Sequence, residues 1–185
     1  MRVGKQKELD SYIEELKTVK MDLVERKNKF LEIKNYDCYL SNGRVIPREK
    51  IVKGKTDGNA CIILPITEEE NVLLVVQPRV FIKNGVGVEL PAGYVDGCEN
   101  YEDAAKRELL EETGYLPSEM ILLGGFYQDQ GCMSAFNQCF LAYDCKKVGE
   151  QHLDKDEYII NKKTLNFTSN NSKIIVEVFF KVYEN

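Results

Sequence analysis

The chain has 185 residues, of which 43% are hydrophobic and 30% are charged, and its formal net charge at pH 7 is −5. This length predicts one globular domain with a core large enough to fold alone, and it leaves no room for a second catalytic domain. The acidic balance argues against a general nucleic-acid binder, because such a protein needs an excess of Lys and Arg to displace counterions from a phosphate backbone.

Location and redox state are inferred from the amino terminus and the cysteines. The first ten residues, MRVGKQKELD, are too charged for a signal peptide, and no apolar run approaches membrane-spanning length. We therefore expect a cytoplasmic protein with no membrane partner. The six cysteines show neither C-x-x-C spacing nor a metal-site pattern, so we predict reduced thiols.

The amino-terminal segment predicts an amphipathic helix over residues 6–27. Its apolar stripe consists of Leu9, Tyr12, Ile13, Leu16, Val19 and Leu23. Lys and Glu side chains lie on the opposite face, so the apolar stripe should dock on another part of the protein. We assign residues 1–28 to this extra helix and residues 29–185 to the main domain, within a single globular unit.

The rest of the chain predicts strands and one further helix around a central helical segment. Residues 30–40 and 44–53 flank an Asn-Gly turn, which is a strong hairpin signal. The other predicted strands are residues 59–64, 72–77, 86–90, 120–127 and 135–143. Polar residues recur at helical spacing near the carboxyl end and predict a helix over residues 174–183. Together these elements indicate an α+β fold with a mixed β-sheet.

Residues 93–115, GYVDGCENYEDAAKRELLEETGY, predict a short helix that carries Glu108, Glu111 and Glu112 on one face. Asn100 is a suitable N-cap, and Gly114 stands where a left-handed residue ends a helix. Each pair of like charges costs about 0.2–0.5 kcal/mol on an isolated helix, so the cluster indicates a bound cation. Mg²⁺ in particular is held by a few carboxylates, while substrate phosphates and water fill its other positions.

This segment resembles the Nudix box, G-x5-E-x7-R-E-U-x-E-E-x-G-U, in which U is apolar or aromatic. The matching positions are Gly93, Glu99, Arg107, Glu108, Leu109, Glu111, Glu112, Gly114 and Tyr115. The resemblance implies a Nudix-type α/β/α sandwich, with the box forming a loop-helix-loop at the edge of the sheet. It also implies an enzyme that hydrolyses a nucleoside diphosphate linked to another group.

The resemblance further implies roles for individual residues. Glu108 and Glu112 would be the principal ligands of Mg²⁺ or Mn²⁺, and Glu111 would assist them. The main-chain oxygen of Ala92 would be a further ligand. Structural roles would fall to Gly93, Glu99, Arg107 and Gly114.

Water is the expected nucleophile. The chain has no G-x-S-x-G segment and a single histidine, so a carboxylate is the expected base. An acidic stretch after the box, residues 150–157, supplies candidates, although each of them fits a solvated loop equally well. We select Asp156 and Glu157 as base or extra metal ligand, because an apolar run follows them. His152 is expected to be an exposed loop residue.

Residues that flank the box indicate a branch of the family. Glu89-Leu-Pro-Ala-Gly93 and Gln77-Pro-Arg79 resemble the ADP-ribose pyrophosphatase branch, in which the arginine helps to hold the substrate. As an alternative, Arg79 is a plain surface residue. Gln130 stands where that branch usually has a proline, which makes nucleotide sugars and NADH-like dinucleotides more plausible. We place Arg79, Gln130 and Gly131 in the substrate site.

Three classes of function remain open at this stage. The first is metal-dependent hydrolysis of a nucleoside diphosphate derivative, such as ADP-ribose or a nucleotide sugar, or of NADH or a nucleoside triphosphate. A non-catalytic nucleotide sensor is the second, and an isomerase of isoprenyl diphosphates is a remote third. The resemblance also implies a homodimer, in which residues 30–53 would contribute to the neighbouring subunit.

Overall fold

The structure is a computed structural model, and it describes residues 3–17, 19–24, 30–54, 56–82, 85–153 and 159–166. Within these residues the helices are α1 (Val3–Leu16) and α2 (Tyr101–Thr113). The strands are β1 (Leu31–Tyr39), β2 (Val45–Lys53), β3 (Ala60–Thr67), β4 (Asn71–Pro78), β5 (Val86–Glu89), β6 (Ala92–Tyr94), β7 (Tyr115–Leu116), β8 (Glu119–Tyr127), β9 (Phe136–Lys147) and β10 (Ile160–Asn166).

The described strands form one main sheet of eight strands and one separate hairpin. The main path of the large sheet runs β10-β4-β3-β9-β7, while β5 pairs with β4, β6 with β3 and β8 with β9. Strands β3 and β9 are parallel, and the other pairs are antiparallel. The predicted α+β class with a mixed sheet is therefore confirmed.

Each strand predicted from the sequence is present, with boundaries shifted by a few residues. Three further strands, β6, β7 and β10, were not predicted. Strands β6 and β7 have three and two residues, too few for an alternating pattern to show, and they exist because β3 and β9 pair with them.

The β1–β2 hairpin forms a sheet of its own. The predicted Asn-Gly turn is present, with Gly43 at a φ of 82° and the amide of Leu40 2.8 Å from the carbonyl of Arg44. The hairpin reaches the rest of the molecule through the Ile51 amide, which donates to the carbonyl of Cys132 at 2.8 Å. Most side chains of β1 are exposed.

Helix α2 packs on the main sheet through small and apolar side chains. Ala104, Ala105 and Leu109 are fully buried against a cluster that includes Ile63 and Phe140. Ala105 and Leu109 are four positions apart and so share a helix face, and Ala104 lies at the side of that face. Because these side chains pack on the sheet, the contact determines the direction in which the glutamates of α2 point.

Helix α1 is shorter than predicted. It ends at Leu16, and residues 19–24 are not helical. Leu16 is 6% exposed and packs against Val76 and Val86, whereas Val19 and Leu23 are fully exposed. A short helix is marginal in water without tertiary packing, so the helix stops where its apolar contacts stop.

Some predictions fall on residues that the structure does not describe. The predicted carboxyl-terminal helix and the candidate bases Asp156 and Glu157 lie outside the described residues. In the part of the chain that is described, no helix has the length and apolar character needed to cross a membrane. All six cysteines are free thiols, as predicted.

Candidate active site

The two ends of α2 are fixed by the residues that the sequence indicated. Asn100 is extended, and its Oδ1 accepts a hydrogen bond from the amide of Asp103 at 2.9 Å, a contact typically worth about 1 kcal/mol. Gly114 ends the helix with a φ of 74°, and its amide donates to Leu110 at 2.8 Å. A Cβ at this glycine would also lie 2.3 Å from the carbonyl oxygen of Gly149, so both backbone geometry and space require glycine. The caps set the register of the glutamates between them.

Arg107, on α2, contacts three carboxylates. Its Nη1 lies 2.8 Å from Oε1 of Glu108 and 2.9 Å from Oε2 of Glu111. Its Nε and Nη2 contact the two oxygens of Glu99 at 3.1 and 3.0 Å. One guanidinium therefore offsets the repulsion between like charges that the sequence predicts for this face.

The same arginine ties α2 to the preceding segment. Its Nη2 also donates to the carbonyl of Tyr94 at 3.0 Å, in strand β6. The hydrogen bonds with Glu99 are the main reason that the pKa of Arg107 is raised, and they lower the pKa of Glu99 below its usual value. Both groups stay ionised over the physiological range, so the network is a permanent ionic link.

Glu108 and Glu112 are buried beside the loop that precedes the helix, being 9% and 3% exposed. Oε2 of Glu112 accepts a hydrogen bond from the amide of Ala92 at 3.0 Å. The carboxylate of Glu108 lies against Gly93, where an added Cβ would be 1.9 Å from its Cδ. Glycine is needed at this position because the Glu108 carboxylate occupies the space of a side chain. The backbone of Gly93 does not have a positive φ.

The donor set suits a hard divalent cation, but the carboxylates have other partners. Glu108, Glu111, Glu112 and the Ala92 carbonyl are all oxygen donors, which Mg²⁺ and Mn²⁺ prefer. Among the described residues, no group of three or more His, Cys, Asp or Glu side chains is arranged to hold a metal ion. Glu108 and Glu111 both face Arg107, so a cation here would compete with the guanidinium for their oxygens.

Arg79 lies in a second ionic group next to the box. Its Nε and Nη2 donate to the two oxygens of Glu89 at 2.7 and 2.6 Å, and Nε2 of Gln77 donates to the same carboxylate at 3.2 Å. The hydrogen bonds with Glu89 raise the pKa of Arg79, and the charge of Glu112 contributes further to that rise. Arg79 is therefore close enough to Glu112 of the box for the two charges to interact.

The structure places the predicted site residues Gln130 and Gly131 on one loop. Gln130 and Gly131 are exposed in the loop between β8 and β9, where the Gly131 amide contacts Oδ1 of Asp129 at 2.9 Å. This loop contacts the β1–β2 hairpin through Cys132 and through Gln128, which accepts from Lys53 at 2.8 Å.

The segment after β9 approaches the carboxyl end of α2. The amides of Val148 and Gly149 donate to Gly114, and the amide of His152 donates to the carbonyl of Glu111 at 2.8 Å. The side chain of His152 is exposed, as predicted. The start of the acidic stretch therefore lies beside the box helix.

Sequence reasoning missed the contacts within the Arg79 group and the part that Gly87 plays in them. Glu89 and Gln77 were considered as parts of a motif, without a contact between them. Gly87, opposite Gln77 in the β4–β5 pair, was not considered. A hairpin register drawn across residues 75–89 would have placed these side chains on one face.

Comparison with known proteins identifies the family. The family model described as the NUDIX domain matches residues 56–171, and the chain belongs to the Nudix family.

Among individual relatives, the ADP-ribose pyrophosphatase of Bacillus subtilis (strain 168) is 33% identical over 132 residues, covering 71% of this chain and 69% of the relative. The methanol dehydrogenase activator of Bacillus methanolicus is 31% identical over 146 residues, which cover 78% of this chain and 76% of the relative. A GDP-mannose pyrophosphatase of Citrobacter koseri is 32% identical over 58% of each chain. A solved structure described as an ADP compounds hydrolase shares the fold, with a TM-score of 0.56 at 21% identity. The match covers 77% of this chain and 75% of the chain of that structure. The predicted resemblance to the ADP-ribose pyrophosphatase branch is confirmed.

Proposed function

We propose that this protein hydrolyses the pyrophosphate bond of a nucleoside diphosphate derivative, with a divalent cation as cofactor. The products would be a nucleoside monophosphate and a second phosphate ester. The observation that carries the proposal is the pair Glu108 and Glu112, held buried against the Ala92–Gly93 segment by α2. Two carboxylates meet one main-chain segment here, and oxygen ligands of this kind are those that Mg²⁺ and Mn²⁺ prefer, so this placement favours a cation site.

The proposed cation ligands are the carboxylates of Glu108, Glu111 and Glu112 with the main-chain oxygen of Ala92. When bound, Mg²⁺ or Mn²⁺ would neutralise the charge that develops on the diphosphate oxygens. Arg107 holds the glutamates in position through its contacts with Glu108 and Glu111. Its hydrogen bond to the carbonyl of Tyr94 keeps the helix aligned with strand β6.

The proposed reaction is an in-line attack of water on phosphorus. A bond forms between the water oxygen and phosphorus, the bond from phosphorus to the bridging oxygen breaks, and the water proton passes to a carboxylate base. We propose Asp156 or Glu157 as that base or as an extra metal ligand, and both lie outside the described residues. Arg79 would bind a phosphate oxygen of the substrate, because it lies beside the box and a guanidinium matches phosphate geometry.

ADP-ribose or a related nucleotide sugar is the proposed substrate. The two pyrophosphatases among the relatives are named for ADP-ribose and GDP-mannose. Gln130 and Gly131 would contact the part of the substrate beyond the diphosphate, since the exposed loop between β8 and β9 carries them. Hydrolysis of NADH or of a nucleoside triphosphate is the alternative within the same chemistry.

A regulatory role is the second candidate, and a specific relative favours it. The methanol dehydrogenase activator is similar over most of both chains. Under this alternative the protein would bind a nucleotide without cleaving it. The two candidates differ in whether products appear.

A substrate panel tests the proposal. ADP-ribose, GDP-mannose, NADH and a nucleoside triphosphate are each incubated with and without Mg²⁺, and products are separated chromatographically. We expect cleavage of a nucleotide sugar that requires the cation and falls by about 100-fold or more in Glu112→Gln. Glu102→Gln is the matched control, because Glu102 is exposed on the same helix and pairs with Lys106. Binding of each nucleotide is measured in parallel by calorimetry. Binding without cleavage by wild type would favour the regulatory role, and neither binding nor cleavage of any panel member would refute both.

We also propose that the protein is a homodimer. Ile33 and Tyr39 of the β1–β2 hairpin are 65% and 79% exposed, and Leu31 is half exposed, which is unusual for a strand pair with so many large apolar side chains. Light scattering should give twice the chain mass for wild type and the chain mass for Ile33→Glu. A monomeric wild type would contradict the proposal.

A further inference from the structure

Strands β4 and β5 place three polar side chains on one face of the sheet. Val75 is opposite Glu89 and Gln77 is opposite Gly87, and the amide of Arg79 continues the ladder to the carbonyl of Gly85 at 2.7 Å. Because side chains alternate between the two faces of a strand, Gln77, Arg79 and Glu89 share a face. Arg79 and Glu89 are not direct cross-strand neighbours, and their ion pair has to pass over Gly87.

Gly87 provides the space for that ion pair. A Cβ at this position would lie 1.9 Å from Oε1 of Glu89 and 2.9 Å from Cγ of Arg79. No positive φ is recorded for Gly87, so an alanine would not strain the backbone. The absence of a side chain matters here because two longer side chains meet above it.

The pair leaves part of the Arg79 guanidinium available. Glu89 accepts from Nε and from one hydrogen of Nη2, along one edge of the group. Within the described residues, the edge formed by Nη1 and the second hydrogen of Nη2 has no recorded acceptor. An arginine held in this way keeps a fixed direction while a fork of donors faces outward.

The opposite face of the same hairpin is held by α1. Val76 and Val86 are buried there with Leu16, and Val88 packs beside them. Packing of α1 on this opposite face therefore holds the backbone that carries Arg79 and Glu89. Glu89 also lies only three residues before Ala92, which connects the pair directly to the proposed cation site.

We propose that Glu89 is a positioning residue that, with Gln77 and Gly87, directs the outer edge of Arg79 toward a phosphate of the substrate. This inference rests on the proposed function, because it assigns a role within the same site. Glu89 acts through Arg79 and need not touch the substrate. Without the Glu89 carboxylate, the long arginine side chain samples several rotamers. It then loses conformational entropy when it binds the phosphate, which weakens substrate binding.

Kinetics with ADP-ribose and Mg²⁺ test the role of Glu89, with GDP-mannose as the replacement substrate if the panel favours it. We expect Glu89→Gln to raise KM by about 10-fold, with kcat changed by less than about 3-fold, because the lost interaction is made in the ground state as well as the transition state. Gly87→Ala should give the same KM pattern, because it separates the pair without removing either partner. Glu68→Gln is the matched control, since Glu68 pairs with Lys146 on the surface, and it should leave both constants unchanged.

A double-mutant cycle distinguishes positioning from a general structural effect. In an Arg79→Ala background, Glu89→Gln should change KM by less than about 2-fold, because the residue that Glu89 orients is absent. The melting temperature of each variant is measured in parallel, so that a folding defect in Gly87→Ala is recognised and the cycle alone decides.

The outcomes separate this inference from the proposed function. Additive effects in the cycle, or a Glu89→Gln variant that behaves like Glu68→Gln, would overturn the role of Glu89 while leaving hydrolysis intact. If wild type hydrolyses nothing in the panel, the proposed function fails, and the inference fails with it.

Discussion

The carboxylate of Glu108 occupies the space that a side chain at Gly93 would need. A Cβ added there would lie 1.9 Å from Cδ and 2.1 Å from Oε1 of the glutamate. Gly93 in β6 and Glu108 in α2 are fifteen positions apart in the chain, and each limits which side chains the other position can accept. This contact places β6 against the face of α2 that carries the proposed cation ligands.

Gly93→Ala should reduce hydrolysis while leaving the protein folded. The added methyl group would push the Glu108 carboxylate out of its position, and we expect kcat to fall by about 10-fold or more, because a misplaced ligand loses electrostatic stabilisation of the transition state. Steady-state kinetics measures this effect, and circular dichroism checks the fold. Gly149→Ala is the control, since a Cβ there has no neighbour within 4 Å. Equal kcat in the two variants would contradict the role of Gly93.

Arg107→Met should destabilise the fold. The change leaves Glu99, Glu108 and Glu111 without the cation that links them, and we expect a loss of about 2 kcal/mol in the free energy of unfolding. Urea denaturation at neutral pH measures the loss. Lys106→Met is the matched control, because the neighbouring Lys106 forms an exposed pair with Glu102 and should change stability by less than about 0.5 kcal/mol.

The cost of Arg107→Met should also depend on pH. In the folded state the hydrogen bonds with Arg107 lower the pKa of Glu99 below its usual value. Such a group adds stability that is fully present above its unfolded pKa and is lost as pH falls through the lower folded pKa. The stability difference between wild type and variant should therefore shrink below about pH 4.5. A difference that grows on acidification would contradict this assignment.

Leu16→Ala should weaken the docking of α1. Leu16 is buried against Val76 and Val86 at the helix end, so its truncation should cost about 2 kcal/mol. Leu23→Ala is the control, because Leu23 is fully exposed and should contribute nothing. Urea denaturation compares the two variants, and equal stabilities would mean that α1 does not dock in solution.

The cysteines should differ in their reaction with iodoacetamide. Burial raises the pKa of Cys61 to about 12 and that of Cys145 to about 11, whereas Cys98 is exposed. Because the thiolate is the reactive form, Cys98 should be alkylated within minutes at about pH 8, and Cys61 and Cys145 only after unfolding. Peptide mass spectrometry reads the modified positions, and urea-unfolded protein serves as the control. Early labelling of Cys61 would contradict the packing of α2 on β3.

Local signals in the sequence determined the helix of the box and most strands. Asn100 and Gly114 cap α2 through contacts within a few residues of each end, so the sequence alone indicates where the helix begins and ends. The Asn42–Gly43 turn fixes the first hairpin in the same local way. The register of Glu108 and Glu112 on one face also comes from helical spacing alone. The family resemblance rested on the whole box, including its glycines and Arg107.

Tertiary structure decided what those residues contact. Helix α1 ends where its apolar side chains can no longer contact Val76 and Val86. The apolar periodicity of residues 6–27 does not contain that information. The ion pair of Arg79 with Glu89 depends on strand register and on the space above Gly87. Spacing along the chain specifies the face on which a side chain lies, whereas its partner is set by which distant segment packs there, and that choice depends on burial summed over the whole fold.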